Sequence, residues 1–138
     1  MGKEESKLKA WAKRLWDNYR LTPEMWQKMY DYQGGVCWVC GRPETVPNRR
    51  LAVDHSHLDG LIRGLLCSKC NPLLGKIENA FIRMGMKKAG LDLVKIVLKL
   101  AGYVSDPPAT KAIGSPVYGY AGRVGTKKHR KMLKKQKN

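Results

Sequence analysis

Apolar residues recur at three-and-four spacing across residues 4–20, where Leu8, Trp11, Ala12, Leu15, Trp16 and Tyr19 share one helical face and Lys7, Lys13, Arg14 and Arg20 lie off it. That period predicts an amphipathic helix docked on a core, its basic outer face free to meet phosphates. A second helix starts at Thr22-Pro23-Glu24: Thr is a good N-cap, Pro suits the first helical position, and Glu suits the positive helix end. It runs through Met25, Trp26, Met29 and Tyr30 and stops at Gly34-Gly35, where glycine releases the chain from helical geometry.

Residues 41–50 are polar and carry two prolines, which predicts a loop. Residues 51–66 read as a β-hairpin, with Leu51-Ala52-Val53 leading in, Leu61 to Leu66 leading out, and the tight-turn pair Asp59-Gly60 between them. A third helix continues through Leu73, Leu74, Ile77 and Phe81. Its start has two readings: Ser68 as cap with Pro72 in the first turn, or Asn71 as cap with Pro72 as the first helical residue. A fourth helix over about 90–101 is apolar around most of its circumference, with only Lys95 and Lys99 on a polar edge. So greasy a helix needs two partners, its own core and a second subunit. Asp106-Pro107-Pro108 reads as the end of the folded part. The remaining residues, 109–138, hold seven Lys/Arg in the last twelve positions and only isolated apolar side chains, which predicts a tail unable to fold alone.

Composition adds a partner. The 138 residues hold 27 Lys and Arg against 11 Asp and Glu, a net charge of +16. Such an excess favours a polyanion, nucleic acid before acidic membrane. The charge is concentrated: residues 104–138 carry nine basic residues and one acidic. No apolar run approaches the roughly 18 residues of a membrane span. The polar stretch Met1 to Ala10 lacks the core of a secretory signal. The expectation is a cytoplasmic protein whose cysteines stay reduced and bind metal.

Four cysteines form two Cys-x-x-Cys knuckles, Cys37/Cys40 and Cys67/Cys70. Four thiolates in this pattern suit tetrahedral Zn²⁺, and a site with no open position is structural. It pins both ends of the segment carrying Asp54 and His55. Phosphodiester hydrolysis needs a base to activate water and a metal to neutralise phosphate charge. His55 fits the base at neutral pH. Asp54 and Asn71 offer the hard oxygens that Mg²⁺ prefers, though Asn71 also fits a helix cap. Neighbouring residues of a regular strand point to opposite faces. For Asp54 and His55 to serve one phosphate, the strand must end or kink between them.

The runs Leu21-Thr22-Pro23-Glu24, Gly34-Gly35-Val36-Cys37, Cys40-Gly41, Val53-Asp54-His55-Ser56-His57, Arg63-Gly64-Leu65-Leu66-Cys67, Cys70-Asn71 and Leu74-Gly75 resemble the recombination endonuclease VII family, a branch of the HNH or His-Me finger nucleases. The resemblance covers roughly residues 18–108. It implies an α+β, mostly helical protein with a small zinc-stabilised ββα-metal core, flanking helices and, here, a basic C-terminal tail. It also implies Mg²⁺-dependent cleavage of branched DNA, including four-way junctions, by a homodimer in a bacterial or phage-infected cell, with Mn²⁺ able to substitute. Carried over by position, Asp54 and Asn71 hold the catalytic metal, His55 is the general base, and His57 contacts the scissile phosphate. Cys37, Cys40, Cys67 and Cys70 hold zinc. One position departs from the family pattern: Leu74 stands where the best-known phage member has a glutamate, which leaves Asp54 and Asn71 as the ligand set.

Three segments follow: an N-terminal helix (1–21), the nuclease domain (22–108) and a DNA-binding tail (109–138). Arg63 either meets phosphate or lies solvated. Arg123, Lys127, Lys128, Arg130 and Lys131 in the tail are the other expected DNA contacts. A nicking or site-specific HNH endonuclease uses the same site. A zinc module that binds nucleic acid by charge alone needs only the knuckles and the basic excess.

Overall fold

The computed structural model describes residues 2–118 and 127–136. The chain forms two compact units that divide between Gly90 and Leu91, within the segment expected as one nuclease domain. The described residues are mostly helical, with one two-stranded antiparallel sheet.

The first unit begins with α1 (Lys3–Tyr19) and α2 (Pro23–Tyr32). Of the expected apolar stripe on α1 only Leu15 is buried; Leu8 and Trp16 stay about half exposed. Arg20 closes α1 in a left-handed conformation and donates its N–H to Trp16, which turns Leu21 into the core. Thr22 Oγ1 accepts the Met25 amide at 3.3 Å, the predicted cap, with Pro23 at the first helical position. Trp26 is the buried anchor of α2. Its indole donates to the Leu51 carbonyl (3.3 Å) and its ring meets Trp11 edge-on and stacks on Tyr30. Gly35 (φ 75°) follows, where a Cβ would sit 3.1 Å from the Tyr30 hydroxyl.

Strands β1 (Ala52–His55) and β2 (Ile62–Leu66) form the predicted hairpin. The Asp59-Gly60 pair lies inside a longer connection than a two-residue turn, closed by Ser56 N–H to Leu61 (2.8 Å) and Gly60 N–H to Ser56 (2.9 Å). The register runs Ala52↔Leu66, Val53↔Leu65 and Asp54↔Gly64, then slips so that His55 faces Ile62. Arg63 is the extra residue of this bulge. A bulge bends the strand and re-aims its side chains. The pairing is therefore irregular opposite Asp54 and His55, with the extra residue on β2 rather than on the strand that carries them.

The far edge of β2 is closed by a side chain. Gln33 accepts the Leu65 amide (2.9 Å) and donates to the Leu65 and Val36 carbonyls (both 2.9 Å). Gly64 makes room for it, because a Cβ there would lie 3.0 Å from Gln33 Oε1. Leu15, Leu21, Trp26, Leu51, Val53, Leu65 and Leu66 pack with three of the four cysteines as the core.

Helix α3 (Cys70–Arg83) starts with Pro72 in its first turn, as the Ser68 reading implied, but neither expected cap serves. Ser68 turns its amide and hydroxyl to Glu44, and Asn71 already lies inside the helix. The knuckle supplies an acceptor instead: the Cys70 amide points at Cys67 Sγ, 3.4 Å away.

The second unit holds α4 (Leu93–Ser105), α5 (Pro108–Ile113) and α6 (Lys127–Gln136). Asp92 caps α4 by accepting the Lys95 amide at 2.9 Å. No residue of α4 is buried, and Leu93 and Ile96 are half-buried. Val94, Leu98, Leu100, Tyr103 and Val104 are all more than half exposed. The Asp106-Pro107-Pro108 segment is a break between helices, since Pro108 opens α5 as its first residue. The segment read as a basic tail contains α6 and most of α5. Among the described residues no helix is long and apolar enough to cross a membrane.

Candidate active site and metal centre

The two knuckles close on each other. The four sulfurs of Cys37, Cys40, Cys67 and Cys70 lie within 4.8 Å of one another. Tetrahedral zinc with Zn–S near 2.3 Å would separate its sulfurs by about 3.8 Å. The Cys40 and Cys67 sulfurs are 3.8 Å apart. The set therefore fits a metal ion. Its protonation is uneven. Burial pushes the Cys37 thiol up, but the amides of Cys40, Cys67 and Val39 outweigh it and bring it down to about 6. Burial and the neighbouring cysteines push Cys70 up to about 12. The Cys37 thiolate is stabilised without metal, whereas Cys70 needs a cation to lose its proton.

The first knuckle hangs on local backbone bonds, Cys37 N–H to Arg42 (2.8 Å) and Gly41 N–H to Cys37 (2.9 Å). The second is tied across the chain by Glu44, whose carboxylate accepts the Ser68 amide (2.8 Å) and hydroxyl (3.0 Å) and the Val46 amide (3.0 Å). The Val46 and Ser68 amides hold the Glu44 carboxyl below the usual carboxylate range. Nothing in the loop's composition marked this residue, because its partner lies 24 positions away.

Asp54 is the one buried charged side chain among the described residues. Both its oxygens are taken by Arg63: Nε donates to Oδ2 at 2.7 Å and Nη2 to Oδ1 at 3.0 Å. Arg63 Nη2 also donates to the His55 carbonyl (3.2 Å), and Nη1 to Glu78 Oε1 (2.6 Å). Arg63 was expected to meet phosphate or lie solvated; here it bridges two carboxylates. The hydrogen bonds of Asp54 and Glu78, partly offset by burial, raise its pKa further. Two carboxylates against one guanidinium leave a net negative charge in a largely desolvated place, with Asp54 and Glu78 side chains only 10% and 15% exposed. That donor set suits a divalent cation.

Glu78 was not foreseen. A signal existed: it follows Asn71 by seven residues in a helix and so shares its face. Asn71 itself is half-buried in the first turn of α3, and its side-chain amide makes no hydrogen bond among the described residues. Among the described residues no hydrogen bond joins Asn71 to Asp54.

On the other side of the bulge, His55 is half-buried. Its ring lies 5.6 Å from that of Tyr19 and stacks on His57 at 4.9 Å, with 12° between the planes. His57 is exposed. The bulge thus joins Asp54 to the guanidinium and α3, and His55 to His57 and α1. In α6, Lys127, Lys128, Lys131, Lys134 and Lys135 recur at helical spacing along one exposed face, with Arg130 beside it. Arg123 lies outside the described residues.

The family model described as recombination endonuclease VII matches residues 12–105. Gene 59 proteins of Mycobacterium phages D29 and L5 are each 32% identical to this chain over 108 residues, which is 78% of the chain and 58% of either relative. The chain therefore spans somewhat over half the length of the curated relatives it matches. The match takes in both knuckles, the bulged hairpin and α3, and by it this chain belongs to the recombination endonuclease VII family.

Proposed function

We propose that this protein is a metal-dependent DNA endonuclease of the His-Me finger type that hydrolyses phosphodiester bonds in branched DNA, in the manner of a Holliday junction resolvase. The observation that carries the reading is the register slip at Asp54/His55 in a chain of this family. Neighbours on the strand offer a carboxylate to one side and an imidazole to the other, and the irregular pairing beside them supports both serving one phosphate held between them, as in-line attack requires.

In this reading the hairpin followed by α3 is the ββα-metal core. His55 takes a proton from the attacking water, held in place by Tyr19 and His57. His57, exposed beside it, meets a phosphate oxygen. Asp54 and Asn71 hold Mg²⁺, which when bound supplies charge neutralisation at the phosphate. The four cysteines hold structural Zn²⁺. The basic face of α6 follows the DNA backbone. The uncovered apolar surface of α4 is the surface that a second copy covers in the homodimer.

The test is cleavage of labelled four-way junction, Y-junction and linear duplex in Mg²⁺, with His55→Ala as control. The expected result is selective cutting of the branched substrates, lowered about 10²- to 10⁴-fold by the substitution. Equal cutting of junction and duplex would remove the branch selectivity. Full activity of His55→Ala would remove the base assignment.

A further inference from the structure

The carboxylate that the proposed function gives to the divalent ion is fully engaged by a cation of the protein's own. Both Asp54 oxygens are taken by Arg63, at 2.7 and 3.0 Å, while the third nitrogen of the same guanidinium rests on Glu78 at 2.6 Å. The bulge makes this possible, because Arg63 is the residue it leaves without a partner opposite Asp54 and His55.

We infer that Arg63 is the resident cation of the Asp54 site, exchanged for the divalent ion on metal binding, and that Glu78 is the carboxylate that keeps it when it lets go. This rests on the metal reading of Asp54 given above. Asp54 is largely desolvated, so leaving it unpaired would be costly, and a tethered guanidinium removes that cost until metal arrives. A divalent ion and a guanidinium at one carboxylate repel each other, so entry of the first favours departure of the second. Glu78 makes departure local. Nη1 stays on Glu78 while Nε and Nη2 turn away from Asp54, and these two donors then match the geometry of a phosphate oxygen pair. Glu78 lies two turns beyond Asn71 on α3, about 10 Å along the axis. That reach suits a holder of Arg63 better than a third ligand. Arg63 and Glu78 are positioning residues in this scheme, acting through Asp54.

The experiment measures Mn²⁺ affinity of the zinc-loaded full chain without DNA, by titration calorimetry and by the electron paramagnetic resonance signal of free Mn²⁺. Arg63→Gln should bind Mn²⁺ about tenfold more tightly than wild type, as expected when one like charge at ion-pair distance is removed. Its metal-free form should melt earlier, and Mn²⁺ should raise its Tm by more. Glu78→Gln should bind more weakly, because Arg63 then stays on Asp54. The double variant should bind like Arg63→Gln, since Glu78 acts only through Arg63. Weaker binding by Arg63→Gln would show that Arg63 orients Asp54 for the metal and would overturn the exchange. An equal loss from Glu78→Gln in both backgrounds would make Glu78 a direct ligand and overturn its role as holder. Absence of Mn²⁺ binding in both wild type and Arg63→Gln would sink the metal reading itself, and the exchange with it. The wild type gives a check that needs no variant. The Arg63 Nε–H resonance should move and exchange faster with water as Mg²⁺ is added, and an unmoved resonance while Mg²⁺ binds would overturn the proposal.

Discussion

The molecule holds a cluster of sulfur donors and a cluster of carboxylates, and they are filled in opposite ways. The sulfur cluster brings four soft donors within 4.8 Å of one another, with nothing of the protein's own between them. The oxygen cluster has its buried carboxylate already occupied by a guanidinium, which a second carboxylate also holds. Preassembled thiols with no internal cation form a site made to take a metal once and keep it. A carboxylate with a tethered guanidinium is, on the exchange proposed above, a site that yields its partner to an incoming cation. The difference follows from what each cluster must do without metal. A desolvated carboxylate needs a partner charge, whereas the four sulfurs gather without one.

The largest effect should come from the sulfur side. Cys67→Ser removes a buried ligand and should cost most of the metal-linked folding energy, on the order of 10 kcal/mol in small domains. Zinc content and far-UV circular dichroism check it, and a variant that keeps its metal and its melting curve would make the knuckles dispensable. On the oxygen side, Asp54→Ala strands Arg63 on Glu78 alone. Breaking a mostly buried pair from one side costs about 3–5 kcal/mol, which thermal melting of the metal-free form would read. A drop much smaller than this would mean the cluster is solvated and the contrast with the thiols is overdrawn.

Smaller effects sharpen the comparison. Glu44 links the loop before the hairpin to the second knuckle, and its folded pKa lies below its ordinary value. Its contribution is therefore full above the ordinary carboxylate range and is lost as pH falls through the folded value. Glu44→Gln should melt earlier than wild type at neutral pH, with the gap closing as the solution is acidified below about pH 4. A gap that does not change with pH would assign the loss to packing rather than charge. Last, removing residues 127–138 should leave both clusters intact and reduce the salt dependence of DNA binding, by up to about 0.9 in slope for each phosphate that α6 neutralises. Unchanged slopes in a filter-binding series would take α6 out of the interface.

Much of the framework was legible because its causes are local. Thr22 and Pro23 start α2 by satisfying backbone within the same turn, and the cysteine spacing closes each knuckle within a few residues. An irregularity beside Asp54 and His55 could be looked for in advance, from the alternation of strand side chains, but that it falls in the pairing and puts its extra residue on β2 could not. The start of α3 was legible only in part, since its first amides are served by a sulfur and its expected serine cap is drawn off by Glu44. The apolar circumference of α4 was plain, but its exposure along the described chain was not.

What the sequence determined by itself was the order of elements as far as α4, the sulfur frame and the residue types that hydrolysis would call on, because spacing and capping act over one or two helical turns. Only the tertiary structure decided who sits beside whom at the oxygen cluster. Arg63 reaches Asp54 across nine residues and Glu78 across fifteen, and Gln33 clasps Leu65 across thirty-two. Such pairs form only where folding has brought distant segments together and excluded water, so no run of residues announces them.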